Sequence, residues 1–161
     1  MNHVIRQGKV DEVPEIVALR RSMFEAMGHE DAASLDRMSD AFARYCREHM
    51  PTGDFRVWVA ENEEGRPIAS IGLVVHGVPP SPSYPEGVEA YIMDLVTLPA
   101  YRRRGIAAAL LDAALDTARS EGIPVARLHA TDDGRAIYER AGFQKNETVP
   151  EMWCCLRESA R

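Results

Sequence analysis

The chain has 161 residues, of which 45% are hydrophobic and 27% are charged, and its formal net charge is −6. This length and composition favour one globular domain, residues 1–161, with a single core. The acidic balance argues against broad nucleic-acid binding, and no apolar run is long enough to span a bilayer. Because the N-terminus lacks the basic and apolar segments of a signal peptide, we expect a cytoplasmic protein with no membrane partner.

Three cysteines, Cys46, Cys154 and Cys155, give an odd count with no metal-like spacing. Two adjacent cysteines cannot easily form a disulfide with each other, because the bond has demanding geometry. We therefore expect three reduced thiols that act as small hydrophobic side chains. The five histidines are scattered, so no metal site is expected.

Hydrophobic periodicity and turn residues predict five elements in the first half of the chain. In chain order they are a strand at residues 4–7, helices at 11–28 and 34–49, and strands at 55–61 and 67–76. A segment rich in Pro, Gly and Ser follows at residues 77–87, and it predicts a long loop. Such a loop is either functional or a plain surface crossover.

The second half predicts a strand, a helix, a strand, a short helix and a last strand. They cover residues 88–98, 105–120, 125–130, 133–141 and 148–156, and Gly122 follows the first of the two helices. Early helices, an antiparallel meander and a strand–helix–strand crossover indicate an α/β (α+β) fold with a mixed, mostly antiparallel central sheet.

Residues 98–108 have the features of an anion-binding site. A strand stops at Pro99, the arginine run 102–104 follows, and Gly105 stands where a helix begins. The first N–H groups of that helix have no intrahelical partner and lie at the positive end of its dipole. A diphosphate suits such a site, and Gly105 and Ala107 keep its approach free of large side chains.

The pattern Arg102-x-x-Gly105-x-Ala107 resembles the signature of the GNAT acetyltransferase superfamily. A second segment, residues 136–143 (AIYERAGF), resembles the closing helix of this family, whose tyrosine is followed by a Gly-Phe pair. The resemblance covers essentially the whole chain. It implies a GNAT-like sheet of six to seven strands, splayed between strands four and five and flanked by four helices.

The resemblance also implies a reaction, in which acetyl-CoA is the cosubstrate and its acetyl group passes directly to a primary amine in a ternary complex. The acceptor would be a small molecule, a peptide or a protein. The fourth strand would pair with the pantetheine arm, and the helix start would hold the diphosphate. The residues implied for cosubstrate binding are Leu95, Val96, Thr97, Arg102, Arg103, Arg104, Gly105, Ile106, Ala107, Ala108 and Thr131.

Two catalytic roles follow from the resemblance. Tyr138 matches the tyrosine whose hydroxyl would protonate the departing thiolate. Many relatives carry a glutamate as general base where this chain has Tyr91, so the resemblance does not identify the general base of this chain. Asp94, near the expected thioester, is the first candidate, with an ion pair as the alternative interpretation, and Glu89 is the second. His129 alternates with apolar neighbours and is interpreted as a structural histidine of the sheet.

In this family the acceptor lies opposite the cosubstrate, between the first two helices and the final strands. Here that wall would comprise Phe24, Met27, His29, Glu30, Asp31, Tyr84 and Trp153. The alternative function is a non-catalytic acyl-CoA-binding sensor or scaffold. The absence of the glutamate base at Tyr91 favours this alternative, and the presence of Tyr138 disfavours it. The exposed last strand would allow a homodimer. Nucleic-acid binding through the arginine run conflicts with the negative net charge.

Overall fold

The computed structural model describes residues 3–147 of the chain. Five strands, four α-helices and two short 3-10 turns make up this part. In chain order they are β1 (Val4–Gln7), a 3-10 turn (Val10–Glu12), α1 (Val13–Ala26), α2 (Ala32–His49), β2 (Phe55–Glu61), β3 (Pro67–Gly77), β4 (Val88–Thr97), a 3-10 turn (Pro99–Tyr101), α3 (Ile106–Ser120), β5 (Ala126–Arg127) and α4 (Asp132–Arg140).

The strands form one sheet in the order β1-β2-β3-β4-β5. The first four strands are an antiparallel meander, and β5 joins β4 in parallel after the α3 crossover. This confirms the predicted mixed, mostly antiparallel sheet with four helices. The described residues hold five strands, fewer than the six to seven expected, and the predicted last strand at 148–156 lies outside them.

The fifth strand is shorter than predicted, two residues in place of residues 125–130. Its ladder with β4 stops after two pairs, so the residues that follow have no neighbouring strand to bond within the described part.

The α2 prediction is confirmed within two residues. Helix α3 begins directly after Gly105 and is followed by Gly122, and both of these helix-flanking glycines have a positive φ.

Two hydrophobic cores cover the two faces of the sheet. On one face α1 and α2 pack on the sheet through residues that include Val13, Ile16, Phe42, Cys46, Phe55, Val57 and Val59. On the other face α3, through residues that include Leu110 and Leu111, and α4 pack on sheet residues that include Ile71, Leu73, Ala90 and Ile92. We call these the α1–α2 face and the α3–α4 face. Apolar burial of this kind is the main stabilising contribution to the fold.

Of the three cysteines, Cys46 lies buried in α2 as a free thiol, and burial raises its pKa to about 12. Cys154 and Cys155 lie outside the described residues. Within residues 3–147, no group of three metal-ligating side chains comes together. None of the helices in this range is long and apolar enough to cross a membrane.

Candidate active site

Strand β4 contains one residue more than the stretch of β3 opposite it. Ser70 pairs with Val96 and Gly72 pairs with Met93, so two steps along β3 match three steps along β4. The extra residue forms a β-bulge. Asp94 lies in it with φ of 56°, in the left-handed region that non-glycine residues adopt at some cost in strain.

The bulge changes which main-chain groups of β4 face β5. Before it, the N–H of Ala90 donates to the carbonyl of Val125 on the β5 side, at 3.0 Å. After it, the N–H of Leu98 donates to the carbonyl of Ile68, on the β3 side, at 3.0 Å. Because main-chain groups alternate along a strand, the N–H groups of Leu95 and Thr97 then lie on the β5 side.

On that side β4 is mostly unpaired. Its parallel ladder with β5 consists of Ala90 with Ala126 and Tyr91 with Arg127. Residues 92–97 have no strand partner there within the described part of the chain, and six residues of strand span roughly 20 Å. We call this stretch the open edge of β4. Thr97 at its end also carries a buried hydroxyl with no hydrogen-bond partner among residues 3–147.

The open edge leads to the start of α3. Gly105 precedes the helix with φ of 78°, and a Cβ built on it would meet no atom within 4 Å. Arg103 also has a positive φ, 64°. The N–H groups of residues 106–108 in the first helical turn have no intrahelical acceptor. The helix start is therefore accessible to an anion, which its dipole and its free N–H groups would stabilise.

Two of the three arginines fold back on the turn that connects β4 to α3. Arg102 donates from Nε to the carbonyl oxygen of Thr97 at 3.1 Å, and Arg104 donates from Nη2 to that of Ala100 at 2.9 Å. The Arg104 guanidinium also lies 5.4 Å from the ring centre of Tyr101. These bonds fix the turn and hold positive charge beside the helix start, while all three arginine residues remain exposed.

Tyr138 lies on α4, which faces the same core as α3. Thr131 caps this helix, because its side chain accepts a hydrogen bond from the N–H of Gly134 at 3.3 Å. The absence of a side chain at Gly134 leaves room for the Tyr138 ring, since a Cβ there would lie 3.0 Å from it. Burial, and secondarily Tyr91 nearby, raise the pKa of Tyr138. The phenol therefore keeps its proton near neutral pH.

Asp94 forms an ion pair with Arg20 of α1. Both side chains are largely buried, with 10% of Asp94 and 17% of Arg20 exposed, and the guanidinium lies 4.3 Å from the ring centre of Phe42. Burial raises the pKa of Asp94, although the charge of Arg20 acts in the opposite direction. The ion pair is the alternative interpretation of Asp94 that the sequence left open.

Glu89, the second candidate base, also has charged partners. It accepts a hydrogen bond from Nε of Arg127 at 2.8 Å, and Nε2 of His76 lies 3.2 Å from its other carboxylate oxygen. Two residues further along β4, the hydroxyl of Tyr91 is hydrogen-bonded to Nδ1 of His129. Sequence reasoning missed this pair, because His129 alternates with apolar residues like any sheet histidine and its partner is 38 residues away.

The predicted acceptor wall is only partly assembled within the described residues. Phe24 and His29 at the end of α1 come together, with ring centres 5.3 Å apart, and Arg20 lies 5.3 Å from the Phe24 ring. Met27 is exposed beside them. Tyr84 lies in the loop between β3 and β4, and Trp153 lies outside the described residues.

Residues 14–143 match the acetyltransferase (GNAT) family. A GCN5-related N-acetyltransferase from Ralstonia eutropha JMP134 is 33% identical, with a TM-score of 0.82 over 94% of this chain and 99% of the other. A predicted acetyltransferase from Clostridium acetobutylicum, solved with acetyl-CoA, is 24% identical, with a TM-score of 0.84 over 94% and 96% of the two chains.

A glucosamine-6-phosphate N-acetyltransferase from Arabidopsis thaliana shares the fold, with 16% identity and a TM-score of 0.72 over 95% of this chain and 99% of the other. No curated protein sequence matches this chain. The family match covers most of the chain, and it agrees with the open edge of β4 and the free start of α3. The chain belongs to the GNAT acetyltransferase family and is an acyltransferase that uses acetyl-CoA as its cosubstrate.

Proposed function

We propose that the protein transfers the acetyl group of acetyl-CoA to a primary amine by direct attack in a ternary complex, and that residues 1–161 form one domain for this reaction. The acceptor would be a small molecule, a peptide or a protein. The observation that carries the proposal is the continuous path from the open edge of β4 to the free N–H groups at the start of α3.

The pantetheine arm would bind to the open edge as an additional strand does. Leu95 and Thr97 carry the main-chain groups on that side, with Val96 between them on the side of β3. The diphosphate would accept hydrogen bonds from the N–H groups of residues 106–108. Gly105 supports this placement, because the space in front of its Cα is empty. The three arginines would add attraction at the rim.

Acetyl-CoA supplies an acetyl group that is activated as a thioester. The N–H of Leu95, directly after the bulge, would donate to the oxyanion that develops on the acetyl oxygen, and removal of such a donor typically costs about 10²–10³ in rate. Tyr138 would give a proton to the departing sulfur, a contribution of about 10²–10⁴. Its half-buried phenol, whose pKa is raised and which therefore retains its proton near neutral pH, supports this role.

The buried ion pair favours a positioning role for Asp94. The carboxylate bonds to Arg20, and the bulge residue is thereby tied to α1 on the acceptor side of the sheet. The Asp94 side chain is only 10% exposed and is bonded to Arg20, so an amine bound in the site has little access to it. We therefore assign Asp94 to holding the shape of the bulge and the position of Leu95.

The sensor or scaffold alternative also needs acetyl-CoA to bind, so binding alone does not separate the two functions. The test is incubation of the protein with acetyl-CoA and a panel of amines, namely a polyamine, an amino sugar, a free amino acid and a peptide with a free N-terminus. We expect thiol release together with an acetylated product detected by mass spectrometry. Tight binding of acetyl-CoA without a product from any amine would support the sensor instead.

A further inference from the structure

The amine must lose a proton during the reaction, and both carboxylates of β4 are already engaged. Glu89 lies between Arg127 and His76, and Asp94 is paired with Arg20. Each carboxylate is already bonded to a neighbouring side chain, and only 16% of Glu89 and 10% of Asp94 is exposed, so an amine has little access to either. In the proposed function, the other polar side chains on the acceptor side of the sheet are therefore the candidates for taking this proton.

Tyr91 belongs to the α1–α2 face of β4. Its neighbours Ala90 and Ile92 are buried in the core under α3, whereas Met93 packs against the core under α1 and α2. Side chains alternate along a strand, so Tyr91 lies on the same face as Met93. This is the face from which α1 contributes Arg20 to Asp94.

His129 lies on the same face, on the other side of the open edge. Ala126 and Leu128 pack against the core under α3, whereas the His129 ring contacts Tyr91 on the opposite face. The Tyr91–His129 hydrogen bond confirms that the two side chains meet. Their ring centres are 5.7 Å apart.

The pair lies where β4 and β5 part. Tyr91 is the last residue of β4 that pairs with β5, and the open edge begins at the next residue. Tyr138 is near enough to Tyr91 for Tyr91 to contribute, after burial, to the raised pKa of Tyr138, but Tyr138 belongs to the α3–α4 face. The place where β4 and β5 part thus has a phenol–imidazole pair on the acceptor side and the half-buried phenol of Tyr138 on the opposite side.

We propose that Tyr91 and His129 are catalytic residues that together remove the amine proton, which deepens the proposed function and rests on it. As the amine nitrogen attacks, the new N–C bond forms and its proton passes to Oη of Tyr91, while the Tyr91 proton passes to Nδ1 of His129. The C–S bond then breaks, and the electron pair leaves with the sulfur, which takes the proton of Tyr138. His129 ends as imidazolium and Tyr138 as phenolate, and proton exchange with water restores both.

The test compares Tyr91→Phe, His129→Ala and the double variant, with the panel amine that gives the highest turnover as acceptor. His49→Gln, a histidine at the end of α2, is the matched control. We expect each single variant to lower kcat at least 10-fold while acetyl-CoA affinity and Tm stay near the wild-type values. The double variant should be no slower than the slower single variant, because the two groups act on one proton.

Added imidazole separates a chemical role from a structural one. It should restore part of the kcat of His129→Ala, because it can take the proton from Tyr91, and it should leave Tyr91→Phe unchanged. A wild-type kcat in either single variant, or a loss of kcat that follows the loss of Tm and does not respond to imidazole, would overturn the inference while the proposed function stands. A wild-type protein that binds acetyl-CoA and acetylates no amine would overturn both.

Discussion

The two edges of β4 differ in how much of their main chain is paired with a neighbouring strand. The edge towards β3 is paired from Val88 to Thr97, with a single bulge, whereas the edge towards β5 is paired at two residues. An unpaired strand edge inside a sheet exposes main-chain donors and acceptors, so it is a ready template for an extended ligand. In the proposed function, the paired edge holds the fold together and the open edge binds the cosubstrate.

The largest effect on acetyl-CoA binding is expected at the end of the open edge. Gly105→Glu would place a carboxylate at the proposed diphosphate site, and we expect acetyl-CoA affinity to fall more than 100-fold, about 2.7 kcal/mol. The measurement is titration calorimetry with acetyl-CoA and CoA. Normal affinity in this variant would show that the diphosphate does not lie at the start of α3.

Gly122→Glu is the matched control for this prediction. Gly122 follows the other end of α3, has a similar φ of 72°, and also has no atom within 4 Å of a built Cβ. Both variants therefore carry the same left-handed strain, roughly 1–2 kcal/mol. Similar losses of stability but a loss of acetyl-CoA affinity only in Gly105→Glu would separate the anion site from the strain.

The second prediction concerns the bulge between the two edges. Arg20→Met leaves the Asp94 carboxylate buried without its cation, and we expect the free energy of unfolding to fall by about 3 kcal/mol. Arg119→Met, which removes an arginine from an exposed pair with Asp116, should change it little. Urea unfolding measures both. If Arg20→Met instead retains stability and Asp94→Asn alone abolishes kcat, Asp94 is the base after all.

On the paired edge, substitutions should affect stability and leave cosubstrate binding intact. A Cβ on Gly72 of β3 would lie 2.8 Å from Cε2 of Phe55 and 3.2 Å from Cγ of Met93. We expect Gly72→Ala to lower the free energy of unfolding by about 2 kcal/mol, as overpacked cores do. Acetyl-CoA affinity at a temperature where the variant is folded should equal that of the wild type, and a weaker affinity would mean that the two edges are coupled.

Tyr138→Phe should have the opposite signature, an effect on rate without an effect on binding. Loss of the proton donor is expected to lower kcat by about 10-fold or more, at least about 1.4 kcal/mol. Acetyl-CoA affinity should hardly change, because the hydroxyl contributes little beside the main-chain contacts. Steady-state kinetics under conditions where chemistry limits turnover provide the measurement. An unchanged kcat would remove Tyr138 from the mechanism.

The smallest effect is expected at Thr131. Its side chain caps α4, so Thr131→Ala should lower the free energy of unfolding by about 1 kcal/mol. Thr131→Ser keeps the capping oxygen and should restore most of that stability. Thermal unfolding and an acetyl-CoA titration on both variants decide its role: a loss of affinity in both would indicate a direct cosubstrate contact through the methyl group.

The proposed cosubstrate site is the part that local sequence patterns indicate more directly. The arginine run, Gly105 and the start of α3 are adjacent along the chain, and their chemistry follows from local rules of helix termini. The side chains proposed to act in the reaction come from distant parts of the sequence. The Tyr91–His129 bond joins residues 38 positions apart and the Arg20–Asp94 pair joins residues 74 apart, so both depend on strand register and helix packing.

The bulge at Asp94 shows the same limit. Alternation alone would assign the main-chain groups on the β5 side to even-numbered residues throughout β4, as at Ala90. The extra residue reverses this assignment beyond Asp94, and no turn residue or charge pattern in the sequence marks it. A bulge is set by pairing with the neighbouring strand, so it becomes visible only when the sheet is assembled.

Amide hydrogen exchange with and without acetyl-CoA tests the central claim most directly, because it reports on individual main-chain N–H groups. We predict slower exchange on binding at Leu95 and Thr97 of the open edge and at residues 106–108 of α3. The amides of β2, which is paired on both sides, should be unaffected. If acetyl-CoA binds but these five amides exchange as fast as before, the cosubstrate does not lie along the open edge of β4.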